Sequence, residues 1–201
     1  MPGAIDMPAG NRRGRITLIG LALLFFVPLA AAFWLYFSGG WRPASSTNHG
    51  ELITPARHLE NAALAKPDGS SARIDVLTGR WALVYLGDGA CDVDCQKTLR
   101  VMRQTRLTLA NEMTRVGRVM IATAHCCNTQ FFQREHPGLE VVAAEDPGTR
   151  DFLAQFPAND RGNSIYIVDP LGNLMMRFDA RLPPKGLQSD LTKLLKLSHI
   201  G

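Results

Sequence analysis

The stretch from Trp81 to Cys95, WALVYLGDGACDVDC, decides the fold. Its first six residues, Trp81–Leu86, form an unbroken apolar run of strand length, which implies burial on both faces of a sheet. Cys91 lies where that strand ends and a helical pattern begins. At about 100° per residue, Cys91, Cys95, Leu99, Met102, Leu109 and Met113 fall within about 40° of one line. Arg106 shares the stripe, with its stem expected in the core and its head in solvent. The spacing puts Cys95 one turn above Cys91, so the two sulfurs can close a disulfide or point jointly at a soft metal ion. A helix start favours the thiolate, and Asp92 and Asp94 oppose it.

Outward from this stretch, apolar runs alternate with helix-length polar segments. Further strands are predicted at Val119–Thr123, Leu139–Ala144, Ser164–Val168 and Leu174–Phe178. The last two are separated by Asp169-Pro170-Leu171-Gly172, a turn that predicts an antiparallel hairpin. A final helix is predicted over Pro184–Ile200, with Leu187, Leu191, Leu194 and Leu195 as its core face. Before Trp81, Pro67-Asp68-Gly69 reads as a turn and Ala72–Val76 as a short strand, while Leu52–Leu64 is ambiguous because Pro55 interrupts it. The expected fold is an α/β thioredoxin-like domain, a mostly parallel central sheet with helices on both faces and a C-terminal hairpin.

The N-terminal third has another character. Ile16–Phe37 carries no charge and ends among Phe33, Trp34 and Tyr36. A bilayer-spanning helix needs about 20 apolar residues, and aromatic residues favour the interface. Arg12, Arg13 and Arg15 precede the run and only Arg42 closely follows it, so the N-terminus is expected in the cytoplasm. The expected divisions are a cytoplasmic tail (1–15), an anchor (16–37), a tether (38–50) and an external domain (51–201). A cleaved signal peptide ending at Ala30-Ala31-Ala32 competes with this, but the apolar run continues to Phe37. Arg12-Arg13 also matches a twin-arginine signal only weakly.

Composition narrows the function classes. With 20% charged and 46% hydrophobic residues the chain is globular, and of the net charge of +4 a part comes from Arg12, Arg13 and Arg15 in the tail. No stripe of Lys and Arg interleaved with aromatics is visible, which argues against nucleic-acid binding. His125-Cys126-Cys127 follows the strand ending at Thr123, on the rim where ligands gather in α/β sheets. These cysteines are expected to be free, either exchanging with the first pair or buried as small hydrophobes. His49, His58, His136 and His199 have no partner pattern and read as surface residues.

Gly79-Arg80-Trp81 through Leu86-Gly87, followed by Cys91-x-x-x-Cys95, resembles the Sco family of membrane-anchored copper-handling proteins. The likeness extends to Pro67-Asp68-Gly69 upstream and Ile165–Gly172 downstream. It implies a role in assembling the copper centre of cytochrome c oxidase from the outer face of a bacterial inner membrane. Its partners would be the membrane, the oxidase's copper-centre subunit and a thiol–disulfide exchange partner. Three features depart from the family pattern. Asp92 and Gln96 stand where prolines follow the cysteines, Arg161 stands where the histidine ligand is expected, and His125-Cys126-Cys127 replaces an acidic stretch. Arginine stays protonated and cannot ligate a metal. The leading expectation is therefore a thiol–disulfide oxidoreductase, with Cys91 the more exposed nucleophile and Cys95 resolving. The alternatives are a copper(I) carrier using Cys91 and Cys95 with His125 or Cys126 and Cys127 as substitute ligands, and a scaffold with a static bridge.

The anchor reading makes a direct prediction. Intact-mass measurement of the membrane-extracted protein should return the uncleaved chain, and a species beginning near Ala32 or Phe33 would refute it.

Overall fold

The computed structural model describes residues 12–38, 47–60, 64–72 and 74–198. Most of the expected tail and tether, and His199, lie outside the described residues. The chain divides into two units, the second beginning at Thr47.

In the first unit, helix α1 runs Arg12–Phe37. Its 26 residues extend about 39 Å, more than the roughly 30 Å of a bilayer's hydrocarbon core. Its apolar side chains are exposed within the unit, and Pro28 lies inside it. The helix is long and apolar enough to cross a membrane.

The second unit is built on β4 (Trp81–Asp88), the strand read first from the sequence. Trp81, Leu83 and Tyr85 enter one apolar cluster, and Ala82, Val84 and Leu86 enter another on the opposite face. This two-sided burial is why the run does not alternate in polarity. The first face is covered by α2 (Val93–Thr108), α3 (Thr129–Glu135) and α5 (Pro184–Leu197). The second is covered by α4 (Arg150–Ala154), with Phe152 and Phe156, and by the Ile74–Leu77 turn. Helices on both faces thus match the expectation.

The sheet is mixed. With β1 (Glu51–His58), β2 (Leu64–Ala65), β3 (Ser71–Ala72), β5 (Val116–Ala124), β6 (Leu139–Ala143), β7 (Ser164–Val168) and β8 (Asn173–Asp179), its order is β1-β8-β7-β4-β5-β6-β2-β3. Parallel pairing is confined to the centre, where β5 joins β4 and β6. All other described pairings are antiparallel, because hairpins and edge strands flank the β4-α2-β5-α3-β6 core. "Mostly parallel" therefore describes the centre and not the whole sheet. The β7–β8 hairpin closes as expected on Asp169, whose Oδ1 accepts from the backbone N–H groups of Leu171 (2.9 Å) and Asn173 (2.8 Å). Gly172 there has φ +86, a left-handed conformation that favours glycine.

Three local expectations change. Within the ambiguous Leu52–Leu64 segment, residues up to His58 form edge strand β1, whose register shifts between Leu52 and Arg57, around Pro55, and Leu64 opens β2. Proline has no N–H for the ladder and is tolerated at an edge. The run Ala72–Val76 does not extend as a strand; the chain turns at Ile74–Leu77 and buries Leu77. The helix after the cysteines stops at Thr108, before Ala110 with φ 50, and a tighter turn over Ala110–Arg115 leads into β5. Arg106 keeps its stem inward, but its Nε donates to Val116 O at 2.6 Å, so its head is half-buried and bonded.

The start of the second unit is held by one buried carboxylate. Asp190, 1% exposed on the inner face of α5, accepts from the backbone N–H groups of His49 and Gly50, each at 2.8 Å. It also meets His49 Nδ1 at 3.2 Å. Removing the acceptor leaves two N–H groups without their partner, at about 1–3 kcal/mol each if they stay dry. Asp190→Ala should lower unfolding free energy by roughly 2–4 kcal/mol in urea titration, with Asp190→Asn milder. A loss under about 0.5 kcal/mol would mean water replaces the carboxylate at no cost.

Candidate functional site

The end of β4 and the start of α2 are shaped by two aspartates. Asp88 Oδ1 accepts from Ala90 N (2.8 Å), and Cys91 N donates to Asp88 O (3.1 Å), which folds the chain back after the strand. Asp92 is the N-cap of α2, its Oδ1 accepting from Cys95 N at 2.9 Å. Between them Cys91 takes φ 54, a left-handed conformation rare outside glycine and asparagine. Gln96 Nε2 reaches back to Cys91 O at 3.2 Å.

Cys91 and Cys95 are joined as a disulfide with a Cα–Cα separation of 5.1 Å. Cys91 was expected to be the more exposed of the two; it is 3% exposed against 1% for Cys95, so both are buried. The left-handed turn and the N-cap direct both side chains into the first apolar cluster, beside Leu99 and Met102. The pair comes together as predicted, but it is closed off from solvent.

The loop after β5 lies directly against this one. Gly89 N donates to Ala124 O (2.7 Å), and Asn128 N donates to Gly89 O (3.0 Å). A side chain at Gly89 would put Cβ 2.6 Å from His125 O and 2.8 Å from Cys126 Cα, so only glycine lets the loops touch. His125 has φ 47 and is exposed, with Nδ1 2.7 Å from Asp88 Oδ2. Cys126 and Cys127 are bonded to each other, against the expectation that they are free. They are half-buried, and Cys127 packs against the cluster that holds Cys91 and Cys95. Among the described residues no three His, Cys, Asp or Glu side chains gather as a metal site, and His125 Nδ1 is turned to Asp88.

Arg161 lies on the same rim, in the turn Arg161–Asn163 that precedes β7. Its guanidinium does not serve the cysteines. Nη2 donates to Leu153 O (2.8 Å) and Phe156 O (2.7 Å), and Nε to Pro157 O (3.3 Å), capping the carbonyl end of α4. Arg161 lines a cleft of about 390 Å³ with Tyr85, Asp88, Asp92 and Asp94. Burial, followed by the field of Asp92, Asp94 and Asp88, pushes the Tyr85 hydroxyl up to about 12. Four described non-glycine residues have positive φ, and three of them, Cys91, His125 and Asp160, belong to these rim loops. Strained backbone concentrated at one rim is a mark of a functional site.

Some residues at the rim and deeper in the domain were not legible in the sequence. Asp88 carried a readable signal, an Asp-Gly pair directly after a strand, but its bond to His125 depends on two loops meeting. His136, read as a surface residue, is 5% exposed beneath α3. Arg118 is a charge inside an apolar strand, which was a signal available in the sequence.

An α/β domain with a cysteine pair at a strand-to-helix junction, preceded by an apolar helix, defines a thioredoxin-like protein of the membrane-attached kind. The family described as "Transmembrane-like, thioredoxin-like, C-terminal domain" matches residues 81–198, and its N-terminal counterpart, "Transmembrane-like, N-terminal domain", matches residues 8–39. The chain belongs to this family. Among solved structures, the domain is similar to apo Sco1 from Thermus thermophilus, at 17% identity and TM-score 0.61, over 75% of this chain and 99% of that one. Copper-bound yeast Sco1 is similar at 14% identity and TM-score 0.61, over 72% and 95%. BsSco, described as having a disulfide switch and as a member of the Sco family of cytochrome c oxidase assembly proteins, is similar at 15% identity and TM-score 0.54, over 71% and 96%. The fold is thus Sco-like. No curated protein matches the sequence.

The Asp88–His125 contact has a titration consequence. The Ala90 N–H, and then His125, hold the Asp88 carboxyl below the ordinary carboxylate range. The Asp88 hydrogen bond and charge raise His125 above its ordinary value. The ion pair is therefore complete in mildly acidic solution and is lost as pH rises through the raised pKa of His125. NMR titration should place His125 above an unperturbed histidine, and Asp88→Asn should bring it back down. An unchanged midpoint in that variant would show that the two side chains do not pair in solution.

Proposed function

We propose that this protein is a membrane-anchored thiol–disulfide oxidoreductase that assists assembly of a respiratory terminal oxidase by acting on the cysteines of its copper centre. The observation that carries this reading is the Cys91–Cys95 pair at the strand-to-helix junction of a Sco-like fold, within a strained rim. In the reaction, the Cys91 thiolate attacks a partner disulfide and releases one partner thiolate. Cys95, losing its proton, then displaces the second, so the partner leaves as a dithiol and the protein as the disulfide seen here. The α1 helix anchors the protein in the bacterial inner membrane, with the N-terminus cytoplasmic and the domain periplasmic, on the strength of the arginine asymmetry. BsSco lends support as a fold relative in which a disulfide switch is described.

Copper has an incomplete donor set here: both cysteine pairs are joined as disulfides, Arg161 offers no lone pair, and His125, whose Nδ1 meets Asp88, keeps Nε2 as its one free ligand nitrogen. No step is routed through a metal. The rival with an observation behind it is a static bridge, since both sulfurs are buried. Attack needs in-line access to a sulfur, so exchange requires the Gly89–Asp92 loop to move.

Redox equilibration of the full-length protein separates these readings. A catalytic pair should have a potential between about −300 and −120 mV, and Cys91 should alkylate faster than Cys95 once reduced. A potential well below about −300 mV, with equal alkylation rates, would make the bridge structural.

A further inference from the structure

Two clefts flank the Cys91 loop, and they carry opposite charge. In the acidic one the carboxylates are already satisfied: Asp88 by Ala90 and His125, Asp92 by Cys95 N, and Asp94 by Lys97 at 2.9 Å. The other is a groove of about 460 Å³ between α2 and the α3 segment, lined by Gln96, Arg100, Arg103, Asn128, Arg134 and His136. It begins at the redox loop, because Gln96 is bonded to Cys91 O and Asn128 N to Gly89 O. Gln96, Arg100 and Arg103 follow at spacings of four and three, so they line one face of the helix.

The positive charge of this groove is not neutralised. Glu135 is its one lining carboxylate, and it pairs with Arg134 Nε at 3.1 Å. Arg103 Nη1 binds only a carbonyl, Glu135 O, and Arg100 has no ion-pair partner among the described residues. Three arginines against one glutamate leave two charges in excess. Behind them lie groups that lack partners and are almost dry. His136 is 5% exposed with Nδ1 unbonded, and Arg118 is 3% exposed with Nε and Nη1 unbonded. Arg118 Nη2 donates only to Pro137 O, at 2.6 Å. Burial first, and then Arg118 and Arg103, hold His136 below its ordinary pKa. Buried donors without acceptors are costly, and guanidinium forks match carboxylates.

We infer that the groove between α2 and α3 docks an acidic peptide segment of the thiol partner, holding carboxylates near its reacting cysteine against Arg100, Arg103 and Arg134. The inference rests on the redox reading above and adds the partner's chemical class. Carboxylates in the groove would be attracted by the arginines and repelled from the Asp88–Asp92–Asp94 side, which orients the incoming sulfur toward the Cys91 loop. The exchange itself is unchanged. In the reverse direction, two peptide thiols are oxidised to a peptide disulfide while the Cys91–Cys95 bond is reduced to two thiols.

The test uses the oxidised full-length protein in detergent and three probe peptides of equal length, with a central cysteine flanked by Glu, Gln or Lys. Reduction of Cys91–Cys95 is followed by mass spectrometry of alkylated proteolytic fragments, which separates it from Cys126–Cys127. Rates are normalised to each peptide's reaction with a small uncharged disulfide. The Glu peptide should outrun the Gln peptide by about tenfold at low salt, with the Lys peptide slowest. The advantage should vanish in Arg100→Gln/Arg134→Gln and in about 0.5 M salt, and survive in the control Lys185→Gln. Equal normalised rates for Glu and Gln peptides, or an advantage that persists in the double variant, would overturn the inference. A pair that no peptide reduces would overturn the redox reading and the groove's role with it.

Discussion

The rim depends on the contact at Gly89. Its N–H and C=O are both spent on the neighbouring loop, at Ala124 O and Asn128 N, and its missing side chain leaves room for His125 and Cys126. That lacing brings together two chain reversals which parallel strands β4 and β5 would otherwise only place side by side. From it follow the Asp88–His125 pair, the position of Cys127 against the cluster holding Cys91 and Cys95, and the start of the basic groove at Asn128. A Cβ at this position would have to displace backbone, which cannot rotate away as a side chain can.

The central strands were legible because their physics is local. Trp81–Leu86 is apolar without interruption, and only burial on both faces makes such a run stable in water. The Asp169–Gly172 turn was legible for a similar reason, since aspartate and glycine each do one defined thing there. β1 was not, because an edge strand with a proline acquires its structure from its partner β8 and not from its own pattern. The early end of α2 was hidden too: the apolar stripe continues to Met113, and the left-handed residue at Ala110 leaves no trace in periodicity.

At the site, the cysteine spacing predicted the bond between Cys91 and Cys95 but not its burial. Exposure was inferred from position at a helix start, whereas the Cys91 turn and the Asp92 cap decide where the side chains point. Arg161 shows the same limit. Its place in the sequence put it near the rim, and its five donors found three carbonyls at the end of α4 instead of the cysteines. A charged side chain of that length goes to the densest set of unsatisfied acceptors within reach, and a helix end supplies them.

Charge around the redox loop is divided by chemistry and not merely by count. On one side Asp88, Asp92 and Asp94 are consumed by capping and pairing, so their negative field raises Tyr85 while leaving little capacity to bind. On the other, Arg118 is pushed down to about 10 by burial and by Arg106 and Arg103, with two donor nitrogens unmet. Hydrophobic packing alone would place a leucine on that strand, as its neighbours Val116 and Met120 illustrate. A buried guanidinium without a carboxylate lowers stability, and Arg118 recovers part of that through its bond to Pro137 O. That guanidinium is held by Pro137 O next to His136, at the far end of the α2–α3 groove, whose near end meets the loop that carries Cys91 through Gln96 and Asn128.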